Sequence, residues 1–184
     1  MASRKPPKTQ AAWSQVKSKL FDFDRTGLIA LLHDLYAAKR DNQAFLHTRL
    51  GLGGDSLDPY KEVIARSLWP DLSKPVSVAA AKKAISSYGR AQGRAEDMAE
   101  LMVFFCEQAA GFVRDVGLQD ETYFNALLRM YGRALAAVAT LQNATRAEKI
   151  KRLGRIRGLC RDVGYGVFDA MTMLLEESGL GSDQ

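Results

Sequence analysis

The sequence has few cysteines, few prolines and no long apolar run, and each scarcity excludes a class of protein. Its 184 residues include two Cys, five Pro and fifteen Gly. Two cysteines cannot form the disulfide framework of a small secreted domain, and a fibrous or disordered chain would contain more proline and glycine. The longest strongly apolar run, Leu101 to Cys106, is far shorter than the roughly 20 residues of a membrane-spanning helix. We therefore expect a soluble globular chain that does not act in a membrane.

The amino-terminal segment is basic and lacks the apolar stretch of a secretory signal. We expect a short disordered arm over residues 1–10, followed by a single helical domain over residues 11–179 and a flexible tail over residues 180–184. Cys106 and Cys160 fall within helical patterns, and we interpret them as small buried hydrophobic residues rather than reactive thiols. These features together predict a cytoplasmic location.

Apolar residues recur at helical spacing almost throughout the chain. Between Met98 and Val116 they form one continuous stripe of five turns, and no segment shows the sustained alternation of a strand. The pattern predicts an all-α fold, an irregular multi-helix bundle of about eight or nine helices. The expected helices cover residues 11–22, 25–39, 41–50, 58–69, 77–92, 94–117, 120–142, 145–163 and 165–178.

Capping residues indicate where several of these helices begin. Asp58 precedes a proline, and Ser77 and Asp120 each precede an apolar-periodic segment, so we expect all three to be N-caps. The segment from Thr145 to Glu148 has the composition of a capping box. The two longest helices, 94–117 and 120–142, are joined by a very short turn and should form a central antiparallel hairpin.

The chain is basic, with 26 Lys and Arg against 21 Asp and Glu. Seven of these cations lie between Arg146 and Arg161, on both margins of an apolar stripe, which is typical of a docked helix with a solvated face. The alternative is contact with nucleic acid through the basic arm and the basic helix 145–163. The residues for that alternative are Arg4, Lys5, Lys8, Lys151, Arg152 and Arg155.

Motifs for catalysis, metal binding and phosphate binding are missing. The two His and two Cys are far apart, whereas a zinc site needs three or four such ligands at short spacing. No nucleophile stands in a recognisable motif, and the glycine-rich segment 51–54 follows no strand. We therefore predict no metal, no cofactor and no catalytic residue.

Several segments, taken in order, are similar to those of a known set of proteins. The segments are residues 28–36, 81–88, 100–107, 123–125, 130–131 and 164–169. In that order they resemble a family of small, all-helical, uncharacterised bacterial proteins catalogued as a domain of unknown function. The resemblance implies an all-α, bacterial, cytoplasmic protein and implies no activity.

The polar residues within these segments form a candidate cluster. Glu107 lies among aromatic residues of a helix that should be central, so its carboxylate needs a partner or a shifted pKa, and Lys83 is a candidate partner. We interpret the set as hydrogen bonds and ion pairs between helices; the alternative is a ligand-binding or enzymatic site near Glu107. The cluster consists of Lys83, Glu107, Tyr123, Asn125 and Asp169.

The function predicted from these observations is a non-enzymatic interaction or accessory module. Its partner would be another protein or a second copy of the chain, and nucleic acid is the alternative partner. An exposed apolar patch would favour the first prediction, since monomeric proteins rarely expose a large one.

Overall fold

The chain is almost entirely helical in a computed structural model, which describes residues 12–52, 57–71 and 73–182. Within these ranges it forms nine α-helices and a short 3-10 turn, with no strand, so the predicted all-α fold class is confirmed. The helices are α1 (Trp13–Leu20), α2 (Arg25–Ala38), α3 (Arg40–Leu50), α4 (Asp58–Leu68), α5 (Val78–Ala91), α6 (Ala95–Val116), α7 (Glu121–Ala139), α8 (Asn143–Leu159) and α9 (Val167–Glu177), and the 3-10 turn is Leu180–Ser182.

The contacts divide the chain into two compact units, residues 1–43 and residues 44–184, and the boundary falls within α3. The single helical domain expected over residues 11–179 stays a prediction. The predicted disordered arm, residues 1–10, lies outside the described residues. Leu180, in the segment expected to be a flexible tail, is buried within the 3-10 turn.

The second unit is a bundle built around α6. Eleven of the 22 residues of α6 are buried, and the helix packs against α4, α5, α7 and α8. Gly117 adopts a left-handed conformation (φ 67°), which ends α6 and lets the chain reverse into α7. The predicted central hairpin of two long helices is therefore confirmed.

Close contacts bring α4 and α5 against α6. Gly111 faces the indole of Trp69, and a Cβ at this position would lie 2.7 Å from the ring carbon Cζ3. The buried hydroxyl of Tyr88 donates a hydrogen bond to Asp97, which joins α5 to the first turn of α6. The absence of a side chain at Gly111 thus leaves room for the indole of Trp69. The hydrogen bond to Asp97 satisfies the buried Tyr88 hydroxyl, which would otherwise be costly to bury.

Two of the predicted helix starts are confirmed and two are wrong. The side chains of Ser77 and Asp120 accept hydrogen bonds from backbone N–H groups at the starts of α5 and α7. Asp58 is instead the first residue of α4, after Leu57 at the N-cap. Thr145 does not open α8, which begins at Asn143.

The position of Leu141 explains the early start of α8. This side chain is buried in the short connection after α7, so the chain turns into α8 immediately beyond it. Thr145 is therefore already within the first turn, where its hydroxyl cannot act as an N-cap. Tertiary burial has overridden a local capping sequence.

Both cysteines are reduced and buried, as predicted. Burial raises the pKa of the Cys160 thiol to about 11 and that of Cys106 well above its usual range. Both thiols are therefore protonated at neutral pH, which disfavours a nucleophilic role.

Within the described residues, none of the helices combines the length and the apolarity that crossing a bilayer requires.

The N-cap of α7 can be tested against the wrongly predicted cap of α8. We expect Asp120→Ala to lower the free energy of unfolding by about 1 kcal/mol, because a backbone N–H at the start of α7 loses its acceptor. Thr145→Ala should change it by less than about 0.5 kcal/mol, since Thr145 makes no cap. Urea-induced unfolding followed by circular dichroism measures both, and equal losses would contradict the assignment.

Candidate functional site

The five residues of the predicted polar cluster lie on four helices. Lys83 is exposed on α5, Asn125 on α7 and Asp169 on α9, whereas Tyr123 is buried and Glu107 is half-buried. The Tyr123 hydroxyl donates to the backbone carbonyl of Leu68, which ties the start of α7 to the end of α4. Among these five described residues, no hydrogen bond or ion pair joins one side chain to another.

Glu107 is paired with Arg152 rather than with Lys83. The Arg152 guanidinium donates from Nε to Oε1 and from Nη2 to Oε2 of Glu107, each at 2.7 Å. Two parallel hydrogen bonds of this kind form a bidentate pair, the strongest arrangement available to an arginine and a carboxylate. The carboxylate of Glu107 is therefore neutralised by α8 rather than by α5.

A second carboxylate, Glu100, lies two turns before Glu107 on α6 and collects three cations. Its oxygens accept from Lys61 at 2.9 Å, from Lys149 at 2.5 Å and from Arg152 at 2.6 Å. Its side chain is only 14% exposed. Three donors from two neighbouring helices thus surround one largely buried carboxylate.

Glu148 completes the group from the solvent side. It contacts Lys149 at 2.8 Å and Arg152 at 3.2 Å. We call the whole set the ion-pair network; it joins α4, α6 and α8 and contains three acids and three bases. Its members are Lys61, Glu100, Glu107, Glu148, Lys149 and Arg152.

The pKa of Glu100 shows which effect dominates within the ion-pair network. Burial raises this pKa, but hydrogen bonds from Arg152, Lys149 and Lys61 outweigh burial and lower it from 4.5 to about 2. The same pairing raises the pKa of Lys149, against the opposite effect of burial. Glu100 and Lys149 are consequently both charged near neutral pH, and each of these two charges is compensated by a neighbour.

This arrangement is suited to holding helices together and poorly suited to catalysis. A general acid or base needs a pKa near the working pH, whereas pairing stabilises the charged form of Glu100. The ion-pair network agrees with the interpretation of the polar residues as interhelical ion pairs. The ligand-binding or enzymatic alternative near Glu107 is not tested by these contacts and stays a prediction.

Arg152 also bears on the nucleic-acid alternative. Its side chain is 16% exposed and its guanidinium is committed to three carboxylates. Lys151 and Arg155 are exposed on α8, while Arg4, Lys5 and Lys8 lie outside the described residues. Arg152 is therefore a structural residue, and the exposed basic face predicted for α8 is smaller than the sequence suggested.

Neither Lys61 nor Glu100 was among the site residues predicted from the sequence. A spacing of seven residues between Glu100 and Glu107 places both acids on one face of a helix, two turns apart. Lys149 and Arg152, three residues apart, likewise share a face of the basic helix. Two acids on one face of α6 and two bases on one face of α8 were the signal in the sequence from which this pairing could have been predicted.

The first unit presents a different feature, an apolar surface. No residue of α1 or α2 is buried, although both helices carry large apolar side chains. Those exposed by at least 36% in this unit are Trp13, Val16, Phe21, Phe23, Leu28, Ile29, Leu31, Leu32 and Leu35. A surface of this composition is energetically costly in water unless it is covered.

Four leucines of α2 define the centre of this surface. Leu28, Leu31, Leu32 and Leu35 are 36–50% exposed and follow the i, i+3, i+4, i+7 spacing of one helix face. We call these four residues the leucine face. Asp24 caps the helix by accepting from the backbone N–H of Gly27, so the leucine face is displayed on a properly started helix.

The described residues show no metal site, and the comparisons with known proteins find no relative. Within the described residues, no three His, Cys, Asp or Glu side chains are grouped so that they could hold a metal ion. Comparison with protein families, with curated proteins and with solved structures gives no significant match for this chain. The resemblance to a family of uncharacterised bacterial proteins therefore stays a prediction.

The ion-pair network can be tested by removing single charges. We expect Glu100→Gln to lower the free energy of unfolding by about 3 kcal/mol, because three largely buried cations lose their shared partner. Glu148→Gln is the matched control: this side chain is 51% exposed, and its loss should cost less than about 1 kcal/mol. Urea-induced unfolding at pH 7 compares the two, and a larger effect of Glu148→Gln would refute this ranking.

The pH dependence of stability provides a second test. Because the pKa of Glu100 is lower in the folded chain than in the unfolded chain, its contribution is complete above about pH 4.5 and is lost as the pH falls to about 2. The stability difference between wild type and Glu100→Gln should therefore shrink across this window. Unfolding measured from pH 7 to pH 2 checks this, and a constant difference would show that Glu100 keeps an ordinary pKa.

Proposed function

We propose that this chain is a non-enzymatic module that binds another protein chain through the apolar surface of its first unit. The observation that carries the proposal is the leucine face of α2, four leucines at helical spacing on a helix without a buried residue. A helix of this pattern normally buries its apolar side against another element. A partner chain supplies that element.

The energetics favour a covered surface. Fully burying an exposed leucine contributes roughly 1.5–3 kcal/mol, and the four leucines of the leucine face are 36–50% exposed, so each gains at most about half of that value when it is covered. Binding that covers all four gains this energy against the entropy cost of association. Single hydrophobic residues scattered over a surface are normal, but a group of neighbouring apolar side chains such as the leucine face is typical of an interaction site.

The other two functions have less support. For nucleic-acid binding, α8 offers Lys151 and Arg155 but not Arg152, which is held by acids. For a ligand or enzymatic site, Glu107 is already bound by a bidentate arginine. A cytoplasmic location remains part of the proposal, and two reduced, buried cysteines support it.

The proposal can be tested by photo-crosslinking in cells that make the protein from its own gene. A benzophenone amino acid at Leu32 should form a covalent protein adduct, because this position lies in the leucine face. His33 is the neighbouring control position, since its side chain is 77% exposed and lies off the leucine face. We expect several-fold more adduct from position 32, measured by immunoblot.

The mass of the adduct identifies the class of partner. A product at twice 20.3 kDa indicates a pair of identical chains, and any other adduct mass indicates a different protein. Equal or absent adducts at both positions would refute the proposed function.

A further inference from the structure

We infer that the leucine face binds a second copy of this chain, with the two α2 helices antiparallel about a two-fold axis. This inference rests on the proposed function and names its partner. It follows from the symmetry of the leucine spacing, from the charges at the two ends of α2, and from the area of the apolar surface.

The leucine face is complementary to itself. Leu28 and Leu35 lie at equal distances from the point midway between Leu31 and Leu32, and all four side chains fall within an arc of about 100°. When two copies pack antiparallel about that midpoint, Leu28 of each meets Leu35 of the other. Leu31 of each then meets Leu32 of the other beside the axis. A two-fold interface requires such self-complementarity.

The charges at the ends of α2 are also complementary in this arrangement. Asp24, at the amino-terminal end, and Lys39, just beyond the carboxyl-terminal end, are equally distant from the same midpoint, and both are exposed. An antiparallel pair therefore brings Asp24 of each copy near Lys39 of the other, twice per dimer. Opposed helix dipoles favour the same orientation. A parallel pair would place Asp24 beside Asp24 and Lys39 beside Lys39.

Few charges within α2 oppose the contact. Besides His33, the charged side chains of the helix are Arg25 and Asp34. Arg25 lies at the margin of the leucine face, about 20° outside its arc, and Asp34 lies about 60° outside it. Close approach of two copies therefore desolvates apolar residues and leaves the charged groups in water.

The apolar surface available reaches the lower end of the size that a stable dimer needs. Six apolar residues between Phe21 and Leu35 are 36–79% exposed when Ile29, which lies about 60° outside the leucine face, is left out. At about 200 Å² for a fully exposed residue of this size, they present on the order of 600 Å² per copy, and a standard interface buries about 600–1,000 Å² per partner. Phe21 and Phe23 precede Leu28 in the chain, and an antiparallel pair places that end of α2 near the carboxyl-terminal end of the partner's α2.

Sedimentation equilibrium of the full chain tests this inference with a charge-matched pair of variants. We expect wild type and His33→Glu to be dimeric at micromolar concentration. Leu32→Glu should weaken the dimer at least about 100-fold, because it buries two carboxylates at the axis. No residue of α2 is buried, so neither variant disturbs the core, and circular dichroism verifies the helix content. A monomeric wild type, or a dimer indifferent to Leu32→Glu, overturns the inference.

Disulfide trapping tests the orientation. When Leu28→Cys and Leu35→Cys chains are mixed and mildly oxidised, the antiparallel arrangement predicts a mixed disulfide between positions 28 and 35. A parallel arrangement predicts 28–28 and 35–35 disulfides instead, and would overturn the inference. The two native cysteines are buried, and wild type should therefore give no crosslinked dimer.

The two proposals fail in distinguishable ways. A monomeric wild type that still forms an adduct with a different protein at position 32 would refute the dimer and leave the proposed function standing. A monomer without an adduct would refute both.

Discussion

The second unit depends on the burial of α6 between four other helices. A helix with half of its residues inside the protein can keep a charged residue only where a partner compensates it. Glu100 and Glu107 are the charges on α6 that face α8, and Lys61, Lys149 and Arg152 supply the compensation. The polar contacts that hold α4 and α8 in place follow from this one requirement.

The ion-pair network also shows why polar residues in a central helix need not form an active site. Its charges are matched three against three, and pairing stabilises the ionised state of Glu100 rather than moving its pKa towards neutrality. Buried ion pairs of this kind contribute little net stability compared with apolar packing, but a largely buried member such as Glu100 is costly to remove. Their effect is to fix which faces of α4, α6 and α8 meet. In contrast, the leucine face of α2 consists of exposed apolar side chains that no other described element covers.

Much of the architecture could be predicted from the sequence, because helical periodicity reflects which side of each segment is buried. The all-α fold, the nine helices of the described residues, the hairpin of α6 and α7, the caps Ser77 and Asp120 and the buried cysteines agree with the prediction of about eight or nine helices and of these features. The start of α8 was not, since the burial of Leu141 shifted it ahead of Thr145. The partner of Glu107 was also wrong, because the choice between Lys83 and Arg152 depends on which helix packs against α6.

The leucine face illustrates the same division. Its spacing is plain in the sequence, which predicted a helix over residues 25–39, and the helix itself is confirmed. The helices and their apolar faces could be predicted from the sequence, because local spacing and capping act within a few residues. Which of those faces are covered, and which charges meet, is set by the packing of the helices. Both depend on contacts between segments far apart in the chain, about which local periodicity carries no information.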